Sequence, residues 1–269
     1  MTGGLAGKKY VALGSSMAAG PGISPRDKDA PLRAGRSAAN YPHLLAQRLG
    51  LDLVDVTYSG ATTAHVLTDR QDSAPPQIEA LDGSEELVTI TIGGNDVGYI
   101  PLLVAAGLPR AARSLPLVGG VLEEMFDPTA RDRALVQVGE SLKSVGRTVR
   151  ARTPRARVLF VDYLTVLPPA GDDASPLSGA DAALGRRVAA TLERLTSEAA
   201  AETGCELVRA SDASREQHAW SAQPWTTKPS RFGVSWPGRP APAHPNAAGM
   251  RAVAALVVES FDGLTTRRP

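Results

Sequence analysis

The sequence predicts an α/β domain in which helices cover both faces of a parallel β-sheet. Short runs rich in Val, Leu and Ile alternate along the chain with longer segments of helical periodicity, an order that is typical of such domains. The apolar runs are mostly continuous rather than strictly alternating, as expected of strands that are buried on both faces. A length of 269 residues suits one domain of this kind, so we expect a single domain over residues 1–269.

The apolar runs predict five strands. Parallel strands need long connections, which are usually helical, so helices are expected between them. The predicted strands are residues 10–13, 51–56, 87–92, 158–161 and 206–208.

Apolar residues at helical spacing predict four helices. Gly50 and Gly204 each follow such a stripe, in the position after a helix that glycine favours. Ser178 precedes the third stripe and is a typical N-cap. The predicted helices cover residues 41–49, 135–149, 184–199 and 245–260.

Two stretches lack a clear period. Residues 101–127 are apolar but interrupted by prolines and glycines, and residues 213–243 are rich in Pro and Gly and contain all three tryptophans. Loops this long in a compact domain are often functional. We interpret both as insertions that form the walls of a pocket; the alternative is a surface excursion over a small satellite core.

Composition narrows the function classes. Lys plus Arg number 29 and Asp plus Glu number 28, a balance that gives no reason to expect a nucleic-acid partner. The single cysteine, Cys205, cannot form an intramolecular disulfide or a Cys-rich metal site. No segment reaches the length of a membrane span, so no integral membrane association is expected. The N-terminus has no apolar run of signal-peptide length, which predicts a cytoplasmic protein, or a secreted one if a signal peptide has been removed. The sequence gives no oligomeric state.

Chemically useful residues follow three predicted strands and precede the last helix. Ser16 follows the first strand, Gly60 the second and Asn95 the third, while His244 precedes the last helix. Ligands of open α/β sheets bind at the carboxyl edge, where such turns lie. The glycines around Ser16 do not fit the phosphate-binding patterns of dinucleotide or P-loop sites, so those sites are disfavoured.

These four blocks together resemble the SGNH/GDSL hydrolase superfamily, and most closely its actinobacterial lipase and esterase branch. The blocks are Gly14-Ser15-Ser16, Ser59-Gly60-Ala61-Thr62-Thr63, Gly93-Gly94-Asn95-Asp96 and His244-Pro245. Each block alone is weak, but all four occur in the family's order across almost the whole chain. The resemblance implies a three-layer α/β/α, flavodoxin-like domain with a five-stranded parallel sheet in the order 2-1-3-4-5.

The resemblance also implies roles for the site residues. Ser16 is expected to be the nucleophile and His244 its general base. The Ser16 and Gly60 N–H groups and the Asn95 side-chain amide are expected to form the oxyanion hole. These roles suit the residue types, since a serine hydroxyl needs a neighbouring base and a tetrahedral oxyanion needs fixed donors.

Two positions depart from the family pattern. The family commonly has Asp where this chain has Ser15, and often has Asp three residues before the histidine, where this chain has Ala241. Some members of the branch work as Ser–His dyads, with a main-chain carbonyl that orients the histidine. We therefore expect the Ala241 carbonyl to accept the His244 Nδ1 proton, with Asp212 as the alternative acid of a triad.

The sequence thus predicts a serine carboxylic ester hydrolase that acts on a small-molecule acyl ester and needs no metal or organic cofactor. Two other functions stay open. One is an acyltransferase on the same scaffold, in which an alcohol replaces water. The other is a catalytically silent ligand-binding relative, which the changes at Ser15 and Ala241 make conceivable.

Overall fold

The computed structural model describes residues 4–109, 125–229 and 238–262. One five-stranded sheet lies at the centre, in the order β2-β1-β3-β4-β5, and all neighbouring strands are parallel. The strands are β1 (Lys9–Gly14), β2 (Asp52–Asp55), β3 (Leu87–Thr91), β4 (Arg157–Val161) and β5 (Glu206–Val208). The predicted fold class and strand order are confirmed.

Strand β1 is the strand that places the candidate nucleophile. It lies between β2 and β3, with Val11 opposite Val54 on one side and Val88 on the other. Its residues after Lys9 are buried, because helices cover both faces of the sheet. The ends of β1, β2 and β3 therefore meet at one edge, where the turns with Ser16, Gly60 and Asn95 emerge.

Helices form the outer two layers. Helices α2 (Tyr41–Leu49) and α8 (Ala247–Asp262) pack together over one face, and α5 (Pro128–Arg152) and α6 (Gly179–Thr203) pack together over the other. The α-helices of the described residues are α1 (Ser16–Ala19), α2 (Tyr41–Leu49), α3 (Thr63–Leu67), α4 (Tyr99–Gly107), α5 (Pro128–Arg152), α6 (Gly179–Thr203), α7 (Ala210–Ala213) and α8 (Ala247–Asp262). Short 3₁₀ turns cover Leu32–Ala34, Gln77–Ala80 and Arg215–Gln217. No helix within the described ranges combines the length and apolar character that crossing a membrane requires.

The ends of the long helices follow the capping signals in the sequence. The Ser178 side chain accepts from the Asp181 N–H at the start of α6, and Gly204 ends that helix with a φ of 67°. Gly50 ends α2 in the same left-handed conformation. Glycine has no Cβ to oppose this conformation, so it stops both helices without strain.

The first predicted loop insertion, 101–127, is wrong in its first part. Residues 101–107 belong to α4, whose side chains are mostly buried. Pro101 is the third residue of this helix, where a backbone N–H has no intrahelical acceptor and proline removes nothing. Residues 110–124 of the predicted insertion lie outside the described residues.

The second predicted insertion, 213–243, is largely irregular where it is described. Ala213 ends α7 and one 3₁₀ turn follows, but residues 218–229 contain no helix or strand. Residues 230–237, including Trp236, lie outside the described residues. Whether either insertion forms a pocket wall stays a prediction.

Candidate active site

The turn after β1 presents Ser16 at the edge of the sheet. Gly14 has a φ of 150°, and a Cβ there would lie 2.5 Å from the carbonyl oxygen of Thr91. Only glycine therefore permits this approach of β1 to β3. The Gln77 side chain also holds Gly14 in place, because it accepts from the Gly14 N–H at 2.7 Å and donates to the Gly14 carbonyl at 3.0 Å.

Ser16 and His244 are in direct contact. The Ser16 hydroxyl and His244 Nε2 lie 2.8 Å apart, although 228 residues separate them in the chain. Ser16 is 6% exposed and His244 is 8% exposed, so the pair is largely shielded from water. This distance is within the hydrogen-bond reach that a nucleophile and its general base require.

The carbonyl that orients His244 is that of Pro242, which corrects the expectation for Ala241. His244 Nδ1 lies 2.7 Å from the Pro242 oxygen, so the ring donates from Nδ1 and leaves Nε2 free to accept from Ser16. The Ala241 carbonyl is occupied by the Thr227 hydroxyl at 2.6 Å. Ala243, with a φ of 59°, turns the chain so that the oxygen two residues before His244, rather than three, faces the ring.

Thr227 holds the histidine loop in place. Its backbone N–H donates to the His244 carbonyl at 2.9 Å, and its hydroxyl accepts from the His244 N–H at 3.2 Å. The Ala241 N–H donates to the Pro21 carbonyl at 2.9 Å, which ties the loop to the segment after α1. The orientation of His244 therefore depends on main-chain groups and one threonine.

Asp212, the alternative acid, is engaged elsewhere. Its carboxylate pairs with Arg215 at 2.7 Å, and both side chains are more than half exposed. Across the described residues, no carboxylate hydrogen bonds to His244. The geometry thus favours a dyad over a triad that includes Asp212.

The environment of His244 favours its neutral form. Burial lowers the pKa of the imidazole, and the opposing hydrogen bond to the Pro242 carbonyl is the smaller effect. A general base must be unprotonated when it accepts the serine proton. His244 can therefore accept a proton to a lower pH than an exposed histidine.

This shift predicts the acid limb of the pH–rate profile. A lowered pKa means that His244 becomes half protonated, and half of the base is lost, only at a pH below the ordinary histidine value of about 6.5. We expect kcat/KM for a neutral ester to fall with an apparent pKa below that value. Thermal melting at each pH separates this titration from acid unfolding. A limb at or above the ordinary value, in folded protein, would contradict the assignment of His244 as the buried base.

The turns after β2 and β3 bring Gly60 and Asn95 to the same edge. Gly60 is exposed, has a φ of 82°, and its N–H has no acceptor among the described residues. The Asn95 amide donates one hydrogen to the Ala61 carbonyl at 2.8 Å, and its second N–H has no acceptor among the described residues. Ser16 is the first residue of α1, so its N–H also has no intrahelical acceptor. Three N–H donors without an acceptor among the described residues thus lie in turns at this edge of the sheet.

Asp96 connects these two turns, and among the described residues it hydrogen bonds to neither Ser16 nor His244. Its carboxylate accepts from the Thr63 N–H at 3.0 Å and from the Thr63 hydroxyl. This contact fixes the start of α3 against the turn after β3. The spacing between Gly60 and Asn95 is therefore held by two links, Asp96 to Thr63 and Asn95 to Ala61.

A cavity of about 320 Å³ lies beside these turns, between α6 and the segment after β4. Its walls are mainly apolar and include Tyr99, Tyr163 and Leu167, but neither Ser16 nor His244 lines it. Asp162 also faces it, and burial raises the pKa of this carboxyl to about 6 despite hydrogen bonds from Ser211. The cavity thus lies beside the candidate site and does not contain Ser16 or His244.

The sequence did not single out three residues that support the site. Gln77, Tyr163 and Thr227 contact the site turns through chain separations of 63, 148 and 17 residues. Such contacts depend on the tertiary fold and leave no local pattern. Within the described ranges, no group of three His, Cys, Asp or Glu side chains is arranged to hold a metal ion.

Comparison with known proteins assigns the family. A model of the GDSL-like lipase/acylhydrolase family matches residues 12–252, a range that contains Ser16, Gly60, Asn95 and His244. The chain belongs to this family. The resemblance inferred from the four sequence blocks is confirmed.

Individual relatives of the chain support the same family assignment. Lipase 2 of Streptomyces coelicolor is 35% identical over 255 residues, which are 91% of this chain and 83% of that protein. A lipase of Streptomyces rimosus is 28% identical over 198 residues, 72% of this chain and 67% of that protein. The crystal structure of a phospholipase A1 from Streptomyces albidoflavus superimposes with a TM-score of 0.76 at 26% identity, covering 95% of this chain and 99% of that one. The chain is a carboxylic ester hydrolase of the lipase/esterase type.

Proposed function

We propose that this hydrolase cleaves small-molecule acyl esters through a covalent acyl-Ser16 intermediate. Ser16 and His244 act as a dyad, and the N–H groups of Ser16 and Gly60 with the Asn95 amide form the oxyanion hole. The observation that carries the proposal is the 2.8 Å contact between the Ser16 hydroxyl and His244 Nε2. The other ring nitrogen of His244, Nδ1, hydrogen bonds to the Pro242 carbonyl.

The acylation step follows from this geometry. The Ser16 oxygen attacks the ester carbonyl carbon while His244 Nε2 takes the hydroxyl proton. The carbonyl oxygen becomes an oxyanion, which the three N–H donors stabilise. As the intermediate collapses, the C–O bond to the alcohol breaks, and His244 returns the proton to the leaving oxygen.

Deacylation reverses these roles with water. His244 takes a proton from water, the hydroxide attacks the acyl carbon, and the Ser16 oxygen leaves with the proton from Nε2. The Pro242 carbonyl accepts from Nδ1 throughout, so it fixes the tautomer and ring orientation. As a neutral acceptor it stabilises the imidazolium less than a carboxylate would. Burial of the dyad suits this arrangement, since it strengthens each remaining electrostatic contact.

The relatives suggest the type of ester. Those named above are lipases and a phospholipase A1, enzymes whose names refer to lipid esters. We therefore infer that the acyl part of the substrate is apolar.

A series of p-nitrophenyl esters from acetate to palmitate tests the proposal. We expect free acid as the product in water, and a preference for a chain longer than acetyl. Ester formation with added alcohol that exceeds acid formation in dilute aqueous solution would indicate the acyltransferase instead. Ligand binding without turnover of any ester would indicate the silent relative.

The cellular location of the protein is a separate question. A solved structure that superimposes with a TM-score of 0.74 at 25% identity is that of an extracellular lipase from Streptomyces rimosus, which supports secretion over the cytoplasmic location expected from the N-terminus. Immunodetection in washed cells and in culture medium distinguishes the two.

A further inference from the structure

Tyr163 connects two turns that the backbone alone does not connect. Main-chain pairing between β1 and β3 ends at the bond from the Ser15 N–H to the Thr91 carbonyl, at 2.9 Å. Beyond it, the turn with Ser16 and the turn with Asn95 share no direct hydrogen bond among the described residues. Their relative position therefore depends on side chains.

The Tyr163 hydroxyl supplies that link. It accepts from the Gly94 N–H at 3.0 Å and shares a hydrogen bond of 2.9 Å with the Ser15 hydroxyl. Gly94 directly precedes Asn95, and Ser15 directly precedes Ser16. The Tyr163 oxygen thus hydrogen bonds to Ser15, the residue before the nucleophile, and to Gly94, the residue before the oxyanion-hole amide.

The packing at this point is close. A Cβ on Gly94 would lie 2.3 Å from the Tyr163 ring, so only glycine leaves room for the ring. Burial raises the pKa of Tyr163 to about 12, which keeps its hydroxyl protonated at any pH at which the enzyme is assayed. Ser15 is fully buried, so its hydroxyl depends on a protein partner, and Tyr163 is the partner present.

We propose that Tyr163 is a positioning residue that sets the distance between the Ser16 nucleophile and the Asn95 oxyanion donor. This inference rests on the proposed function. Tyr163 does not reach the reacting atoms; it acts through Gly94 and Ser15. The hydroxyl of Ser15, in the position where the family commonly has Asp, is the group through which the tyrosine holds the first turn.

Tyr163→Phe tests this role, because it keeps the ring that packs on Gly94 and removes only the hydroxyl. A displacement of about 1 Å in a catalytic group can cost about 100-fold, so we expect kcat to fall between about 10- and 100-fold. KM should change less than about twofold, because the lost contacts act in the transition state. The rate of phosphonate labelling at Ser16 should fall with kcat, while the pH limb of His244 should stay in place.

Tyr99→Phe is the matched control. Tyr99 is also buried and lines the same cavity, but its hydroxyl contacts neither Ser15 nor Gly94. We expect its kcat to stay within about twofold of wild type. A purely structural role of Tyr163 would lower the melting temperature of Tyr163→Phe without a selective loss of kcat, and that result would overturn the positioning role.

The outcomes separate this proposal from the proposed function. Wild-type protein that neither hydrolyses esters nor labels at Ser16 would overturn both. An active wild type with a folded Tyr163→Phe variant whose kcat falls less than fivefold would overturn the positioning role alone. If Tyr163→Phe does not fold, Ser15→Ala removes the other end of the link; a fall in kcat of threefold or more supports the role, and a smaller change overturns it.

Discussion

Replacing Ser16 by alanine is expected to lower kcat for ester hydrolysis by about 10⁴- to 10⁶-fold. Removal of the nucleophile in a serine protease costs about 2 × 10⁶ in kcat, and the residual rate comes from binding and the oxyanion hole. In the proposed dyad, His244 would lose the group whose proton it accepts, since the Ser16 hydroxyl lies 2.8 Å from its Nε2. Single-turnover assays with a p-nitrophenyl ester should show no acyl-enzyme in the variant.

Asp212→Asn tests the alternative in which a carboxylate completes a catalytic triad. Asp212 is paired with Arg215 and not with His244, so the dyad predicts a kcat within about threefold of wild type. Amidation of a true triad acid costs about 10⁴ in kcat in a serine protease. A loss of that size in folded Asp212→Asn protein, with unchanged melting, would overturn the dyad and restore a triad.

Replacing Asn95 by alanine is expected to lower kcat by about 10²- to 10³-fold with little change in KM. Loss of one oxyanion donor has this effect because the donor acts mainly after charge has developed on the carbonyl oxygen. The free N–H of the Asn95 amide is aligned by the bond from its other N–H to the Ala61 carbonyl. Steady-state kinetics on one neutral ester gives both constants.

Asn95→Asp refines this test, since it keeps the size of the side chain and replaces the donor by an acceptor. Its loss in kcat should equal or exceed that of the alanine variant. A rise in KM at unchanged kcat, in either variant, would mean that Asn95 binds the ground state and is not an oxyanion donor. Thermal melting shows whether loss of the link to Ala61 has instead unfolded the turn.

Much of the fold could be predicted from local patterns. The strand over 206–208 is found as Glu206–Val208, because a short apolar run bounded by helix signals has few alternatives. The sequence does not predict helix α4, because Pro101 resembles a helix break, although at the third helical position a proline removes no hydrogen bond. For the strand and for the helix, the position of a residue relative to the end of a helix decides whether the sequence predicts the element.

The site was only partly predictable for a different reason. The turns that present Ser16, Gly60 and Asn95 follow directly from the strand order, so sequence blocks were enough to bring them to one edge. The choice of Pro242 over Ala241 depends on the left-handed backbone of Ala243, a conformation that alanine rarely adopts. No sequence pattern indicates this conformation in advance. The tyrosine link through Tyr163 likewise depends on a contact across 148 residues.

The most direct measurement of the central claim is covalent labelling with a serine-directed phosphonate, followed by mass spectrometry of the peptide that contains Ser15 and Ser16. The dyad predicts one adduct per chain, on Ser16, formed at a rate that falls steeply when His244 is replaced by alanine. An adduct on Ser15 or on any other serine, or ester turnover that continues in fully labelled protein, would contradict it.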